Sequence, residues 1–360
     1  MIDCGKVSVA GGLFIYCVIL MGLHLKIEPS YPRDSSHVTS SAPYSRQLIV
    51  LSHSRSGSSL TGDVIQQDVQ SFYVFEPLHA LESMLSNNMT SMQLLNGDTV
   101  KITHDTFIAR SLAVLEAYMT CNFRSLDYRT LTDGLQWMSH KHASFLTCVD
   151  KESNNKIPRE QAAAKCLRIL ELACQTSRFI VIKTVRITMA DLSGLMETYP
   201  SLHVLHLVRD PRAVLYSKSK FGVNLNENTH SIAKFECEST TRDIDTAERF
   251  RTKFHNRMNS LYYETLAARP LETSERLYKI YGLSYTERIR YHIDSITRAG
   301  RKTGCSVFNG LCLESRNSSG NIYTWKRQLS RRIVNIIDIN CKGLYNKTNH
   351  FYKSMTLKRN

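Results

Sequence analysis

The sequence predicts an α/β protein: a P-loop-like parallel sheet flanked by helices, preceded by an N-terminal transmembrane helix. Three observations carry that prediction. Short apolar runs such as Leu48–Leu51 alternate with segments of helical spacing, the pattern of strands buried on both faces. A loop of small residues, Ser52 to Ser59, joins the first of these runs to the first helix. At the other end of the scale, the 19 residues from Val7 to Leu25 contain no Asp, Glu, Lys or Arg.

Taken in chain order, residues 1–6 are a short tail ending in Lys6, and the charge bias around the segment that follows is too slight to fix its orientation by itself. Residues 7–25 are long enough to span a bilayer as a signal anchor. A cleaved signal peptide is the competing reading, although no small-x-small cleavage pattern follows Leu25. Both readings send the remainder into the secretory pathway. Residues 26–45 are rich in Ser and Pro and poor in large apolar side chains, which fits a flexible stem. The folded body is expected over 46–360.

Within that body the first strand is the run at Leu48, and Leu60, Val64 and Ile65 recur at the spacing of a following helix. A second strand, 71–77, is ended by Pro77. Residues 100–120 and 158–176 carry helical periodicity. The third strand covers 178–187, a short helix stopped by Pro200 covers 189–200, and the fourth strand ends at Arg209. A helix closed by Gly222 follows. A fifth strand is placed at 258–266, then a helix with Pro270 near its start and Gly282 at its end. Residues 242–258 interleave acids with bases and are read as a solvated helical face.

Composition narrows the partner. Lys and Arg number 46 against 32 acidic residues, a net charge of +14, which suits a polyanion. Sequons at Asn88, Asn317 and Asn346 and the anchor argue against nucleic acid. Of ten cysteines, Cys4 and Cys17 lie in or before the anchor, and the other eight are an even set for an oxidising compartment. Cys305 and Cys312 are spaced to close a loop. Cys166 and Cys174 share a helix and are expected to pair with other elements. No CxxC pair is present, which disfavours a zinc site.

Two stretches carry chemistry. In Ser54-Arg55-Ser56-Gly57-Ser58-Ser59 a strand gives way to a helix N-terminus, whose free N–H groups and dipole favour an anion. Gly57 lets the backbone approach a ligand, the serines offer hydroxyls, and Arg55 a charged planar fork. An ordinary capped helix is the plain alternative. The Walker pattern GxxxxGK[ST] is absent, which disfavours an NTPase or nucleotide-dependent kinase. The second stretch, 204–222, puts Arg209 at a strand end before Asp210-Pro211, with Ser217 in the next helix. Alone, it reads as a turn with a surface Arg.

Together the two stretches resemble sulfotransferases that use 3′-phosphoadenosine 5′-phosphosulfate (PAPS), and in particular the Golgi carbohydrate sulfotransferases acting on the 6-hydroxyl of galactose, N-acetylgalactosamine or N-acetylglucosamine. Residues 72–81, 181–187, 261–283 and Trp325-Lys326-Arg327-Gln328 extend the similarity, which runs from about Arg46 to about Tyr345. The resemblance implies the sulfotransferase fold, PAPS as co-substrate without a metal, a glycan or glycosaminoglycan acceptor, and a single-pass type II Golgi membrane protein with a lumenal catalytic domain. It implies that Arg55, Ser56, Gly57, Ser58 and Ser59 wrap the 5′-phosphosulfate, and that Arg209 and Ser217 hold the 3′-phosphate. Arg55 would also neutralise charge on the leaving phosphate.

A base must take the hydroxyl proton. Glu76, beside Phe75 and Pro77, is the favoured candidate, with the expectation that shielding raises its pKa. The alternative is a salt bridge from Glu76 to Arg55 that only orders the loop. His53, His79 and His104 are rivals. Lys183 and Arg186 reach the donor or acceptor, or else face solvent as strand-end charges. Trp325, among basic residues, either stacks on a sugar or caps the core. A non-catalytic glycan-binding protein on the same fold would predict damage at Arg55, Glu76, Arg209 or Ser217, and all four are intact.

Overall fold

The computed structural model describes residues 46–298 and 317–348, together with the short segments Lys6–Val9 and Gly12–Ile15. Those two segments pair as antiparallel strands, Lys6 opposite Ile15 and Val9 opposite Gly12. The rest of the expected membrane span, residues 1–5 of the tail and the stem lie outside the described residues. Among the described residues, no helix is long and apolar enough to cross a membrane.

The body is organised on five parallel strands: β1 Arg46–Ser52, β2 Ser71–Phe75, β3 Phe179–Thr184, β4 Leu202–Val208 and β5 Met258–Tyr262. Their order across the sheet is β2-β3-β1-β4-β5. Register is seen in apolar pairs such as Leu48 with Val181 and Ile49 with Val204. The chain leaves β1 towards β2 on one side and later crosses to β4 on the other. The carboxyl end of β1 is therefore a switch point, where such sheets bind ligands.

Alternation along the strands feeds two cores. Ile49, Leu51, Phe72, Val74, Ile180 and Ile182 face one side. There they meet α3 Phe107–Met119, α4 Ala143–Asn154 and α5 Arg159–Gln175. Leu48, Val50, Tyr73, Phe75 and Val181 face the other. They pack on α1 Ser58–Gln66, α9 Pro270–Tyr281 and α10 Glu287–Thr297. Each such buried side chain contributes about 1.5–3 kcal/mol. A third cluster joins α6 Pro211–Ser219, α7 Leu225–Lys253 and α11 Arg331–Asn340. Between β2 and α3 lie α2 His79–Ser86 and a small hairpin, Ser91–Gln93 with Thr99–Lys101. α8, Tyr263–Ala268, follows β5 directly.

Some expectations need correction. Residues 100–120 are not one helix: the start belongs to the hairpin, and the helix begins at Phe107. The fifth strand ends at Tyr262, because the chain turns at once into α8. Residues 242–258 are not simply a solvated face. They belong mostly to the 29-residue α7, which buries Asp243, Thr246, Ala247 and Phe250 against the body. The interleaved charges hid that inner stripe. Three disulfides join separate elements: Cys121–Cys174, Cys148–Cys166 and Cys237–Cys341. Cys166 and Cys174 pair with partners outside their shared helix, as expected. Cys305 and Cys312 lie outside the described residues.

Candidate active site

The loop after β1 is shaped by two residues in the left-handed region, Arg55 at φ 69° and Gly57 at φ 89°. Gly57 caps α1 and is required twice over. Its φ favours glycine, and a Cβ there would sit 2.1 Å from the ring of Tyr263. Ser58 and Ser59 open α1, so their backbone N–H groups are among the helix's unpaired donors. Ser54, Arg55, Gly57, Ser58 and Ser59 line a cleft of about 480 Å³. Ser56 does not line it: its side chain is buried behind the loop, and its N–H donates to the His53 carbonyl at 3.3 Å.

The second stretch lies against the first. After β4, Asp210 caps α6 by accepting from the Arg212 N–H at 2.9 Å, and Pro211 takes the first helical position. The same carboxylate holds the fully buried Arg212 guanidinium through Nε at 2.9 Å and Nη2 at 2.8 Å. This pairing fixes the turn and directs Arg209 into the cleft. Arg209 donates to the Arg55 carbonyl at 2.9 Å across 154 positions of sequence, and its guanidinium stacks 4.3 Å from the Tyr263 ring centre. Ser217, on α6, accepts from Arg55 Nε at 3.1 Å. Phe221 covers Arg55 at 3.9 Å. Trp325 is buried with Arg212 stacked 4.2 Å away, so it caps the core and does not present a face for a sugar.

Glu76 follows the last residue of β2 at φ 45°, and its N–H donates to the Lys183 carbonyl at 2.8 Å. Its two carboxylate oxygens pair with Lys183 Nζ and Arg186 Nη1, and Arg186 also reaches Glu82 at 2.6 Å through Nε. Burial alone would raise the Glu76 pKa. The charges and hydrogen bonds of Lys183 and Arg186 outweigh it and hold the carboxyl below its usual range. The expectation of a raised pKa is thereby corrected, since Phe75 and Pro77 do shield the group but Lys183 arrives from β3 and Arg186 from just beyond its end. The expected alternative partner, Arg55, is likewise replaced by Lys183 and Arg186. Both of these face the cleft. Burial pushes the Lys183 ammonium down to about 8.

The three histidines separate cleanly. His53 is tied to α7, with Nε2 3.1 Å from Asp243 and Nδ1 3.6 Å from Glu236. His104 is exposed in the loop before α3 and does not line the cleft. His79 does line it, with Nδ1 2.8 Å from Asp133 Oδ2. The hydrogen bond to Asp133 raises its pKa, against the lowering effect of burial.

Sequence reasoning missed Asp133, Tyr263, Tyr216 and Lys220. The first orients His79 and the other three line the cleft. Tyr263 had a usable signal, its position at the carboxyl end of a strand. Asp133 precedes Gly134, an Asp-Gly turn signal that gives no hint of a partner in α2. The cleft sets five cations, Arg55, Lys183, Arg186, Arg209 and Lys220, against one carboxylate, Glu76. That excess, with a helix N-terminus between, suits a ligand bearing several phosphate or sulfate charges. Among the described residues no cluster of three or more metal-ligating side chains occurs.

The chain is similar to several known proteins. Carbohydrate sulfotransferase 1 of Mus musculus is 25% identical over 311 residues, covering 80% of this chain and 75% of that one. Carbohydrate sulfotransferase 4 of Mus musculus is 26% identical over 319 residues, covering 82% of this chain and 79% of that one. Among solved structures, the sulfotransferase domain of the Synechococcus olefin synthase aligns with a TM-score of 0.47 and 14% identity, over 85% of this chain and 98% of that one. The model of the sulfotransferase family matches residues 47–287, a span that takes in all five strands and both cationic motifs of the cleft. This chain belongs to the sulfotransferase family.

Proposed function

We propose that this protein transfers a sulfuryl group from PAPS to a hydroxyl of a glycan or proteoglycan chain, the 6-hydroxyl of Gal, GalNAc or GlcNAc being the expected position. The observation that carries the reading is the joining of two anion-binding motifs, 154 positions apart, by the Arg209–Arg55 hydrogen bond. One nucleotide carrying charge at both its 3′ and 5′ ends fits such a paired cleft. The names of the relatives supply the sugar acceptor, and the net charge of +14 favours an anionic glycan.

The 5′-phosphosulfate lies against the N-terminus of α1, with Arg55, Gly57, Ser58 and Ser59 around it; Ser56 supports the loop from behind. Arg209 and Ser217 take the 3′-phosphate. Sulfuryl transfer resembles phosphoryl transfer in depending on alignment and on neutralising charge as it shifts to the leaving oxygen. Arg55, Lys183 and Arg186 supply that positive charge from the carboxyl ends of two strands and the loops that follow them. Glu76 and His79 are the two cleft groups able to accept the hydroxyl proton. The apolar stretch 7–25 anchors the chain in the Golgi membrane as a single-pass type II protein, with the body lumenal; the three disulfides fit that oxidising compartment.

The test is calorimetric binding of adenosine 3′,5′-bisphosphate to the full chain. Arg209→Ala and Arg55→Ala are each expected to weaken it about tenfold to a hundredfold, the scale of lost charge-assisted hydrogen bonds. Wild-type affinity in both variants would contradict the proposed donor site.

A further inference from the structure

We propose that His79 is the catalytic base of this transfer, that Asp133 is its positioning residue, and that Glu76 serves to place Lys183 and Arg186. The inference rests on the sulfotransferase reading above. His79 opens α2, three positions beyond Glu76, and is 39% exposed at the cleft wall. Its Nδ1 is 2.8 Å from Asp133 Oδ2, and the other oxygen of that carboxylate accepts from the Leu135 N–H at 2.8 Å. Asp133 is therefore fixed by its own helix turn and fixes the ring in turn. With the Nδ1 proton given to Asp133, Nε2 carries the lone pair, and among the described residues Nε2 has no partner. This is the base–orienter half of an activated hydroxyl system.

Glu76 is arranged for the opposite task. Each of its oxygens is engaged by a cation, and it is only 14% exposed. To accept a proton it must surrender a charge-assisted bond, which leaves Lys183 without its carboxylate or Arg186 held by Glu82 alone. Held between them, it keeps both cations on the cleft wall, where a sulfonate needs them. His53 has both ring nitrogens near carboxylates and lies behind the loop. The charged groups acting on His79 are Asp133 and Glu76, which favour its protonation, and Arg186, which opposes it. The balance places His79 above the ordinary histidine value, on the side that strengthens it as a base near neutrality.

In the step, the acceptor O–H bond breaks and its proton passes to His79 Nε2. The hydroxyl oxygen bonds to sulfur as the bond from sulfur to the bridging phosphate oxygen breaks. That electron pair leaves with adenosine 3′,5′-bisphosphate. The imidazolium then releases its proton to solvent, to which it is open.

The experiment uses the full chain, PAPS and a panel of neutral and anionic oligosaccharides, with rates measured against pH. Because neutral His79 is the working form, the wild-type rate falls as pH drops through the His79 pKa. His79→Gln is expected to lower kcat about a hundredfold or more. It abolishes that acid limb and leaves affinity for adenosine 3′,5′-bisphosphate unchanged. Asp133→Asn moves the limb to lower pH. Wild-type kcat and limb in His79→Gln, or a limb that disappears only in Glu76→Gln, overturns the proposal and returns the role to Glu76. A second arm needs no acceptor: the His79 ring resonance, identified by its loss in His79→Gln, is titrated by NMR. It is expected above the ordinary histidine value, and lower in Asp133→Asn; an unchanged titration in Asp133→Asn also overturns the proposal. Failure of the wild-type chain to bind the bisphosphate at all counts against the sulfotransferase reading instead.

Discussion

Gly57 shows how much a single position decides. Its left-handed backbone turns the loop into α1, and its missing side chain leaves room for Tyr263. Tyr263 in turn carries Arg209 on its ring. Gly57→Ala therefore strains the backbone and pushes the tyrosine out of place. We expect a loss of about 1–3 kcal/mol of stability by thermal denaturation, together with weakened bisphosphate binding. Unchanged binding would show that the ring contact does not set the position of Arg209. Glu264, the next residue, is a buried carboxyl whose N–H neighbour Asp210 donates to it at 2.9 Å. Burial, and then the charge of Asp210, push its pKa from an ordinary 4.5 up to about 7. Since the folded value lies above the unfolded one, this group's contribution to stability is full below the unfolded pKa and is lost as pH rises through about 7. Wild-type Tm should thus decline between pH of about 5 and about 8 by more than the Tm of Glu264→Gln. Parallel curves would rule out this carboxyl as a source of the dependence.

At the scale of elements, the sheet was legible because its strands are continuous apolar runs with short polar boundaries. β1, β3 and β4 could be placed from their own residues. α9 was equally plain, since Pro270 opens it and Gly282 closes it in the left-handed region. Arg55, Gly57, Ser58, Ser59 and Arg209 were legible as candidates for a related reason: each follows a strand end that the pattern marks, whereas Ser217, inside the next helix, was singled out by the family resemblance alone. What eluded the sequence was tertiary. The partners of Glu76 lie 107 and 110 positions away, and no local rule brings Lys183 and Arg186 to it. The inner stripe of α7 was hidden by interleaved charge. The disulfide Cys237–Cys341 pins α7 to the chain just beyond α11 across 104 positions, whereas Cys148–Cys166 closes only 18. Replacing the first pair by serine should cost about 2–5 kcal/mol and more than replacing the second, since longer loops lose more entropy when closed. Equal losses on chemical denaturation would contradict that ordering.

For the whole molecule, a parallel sheet brings the ends of three separate segments to one edge. The loop after β1 supplies Arg55, β3 itself supplies Lys183, and the turn after β4 supplies Arg209. Helices on both faces bury the apolar residues and leave that edge as the polar opening. A net charge of +14 adds a long-range pull on an anionic donor and acceptor. The most direct measurement is transfer of radiolabelled sulfate from PAPS to a panel of glycans by the purified full chain. The account predicts incorporation into one glycan class, with loss of the signal in Arg55→Ala and Arg209→Ala. A well-folded chain that neither binds adenosine 3′,5′-bisphosphate nor labels any glycan would contradict it.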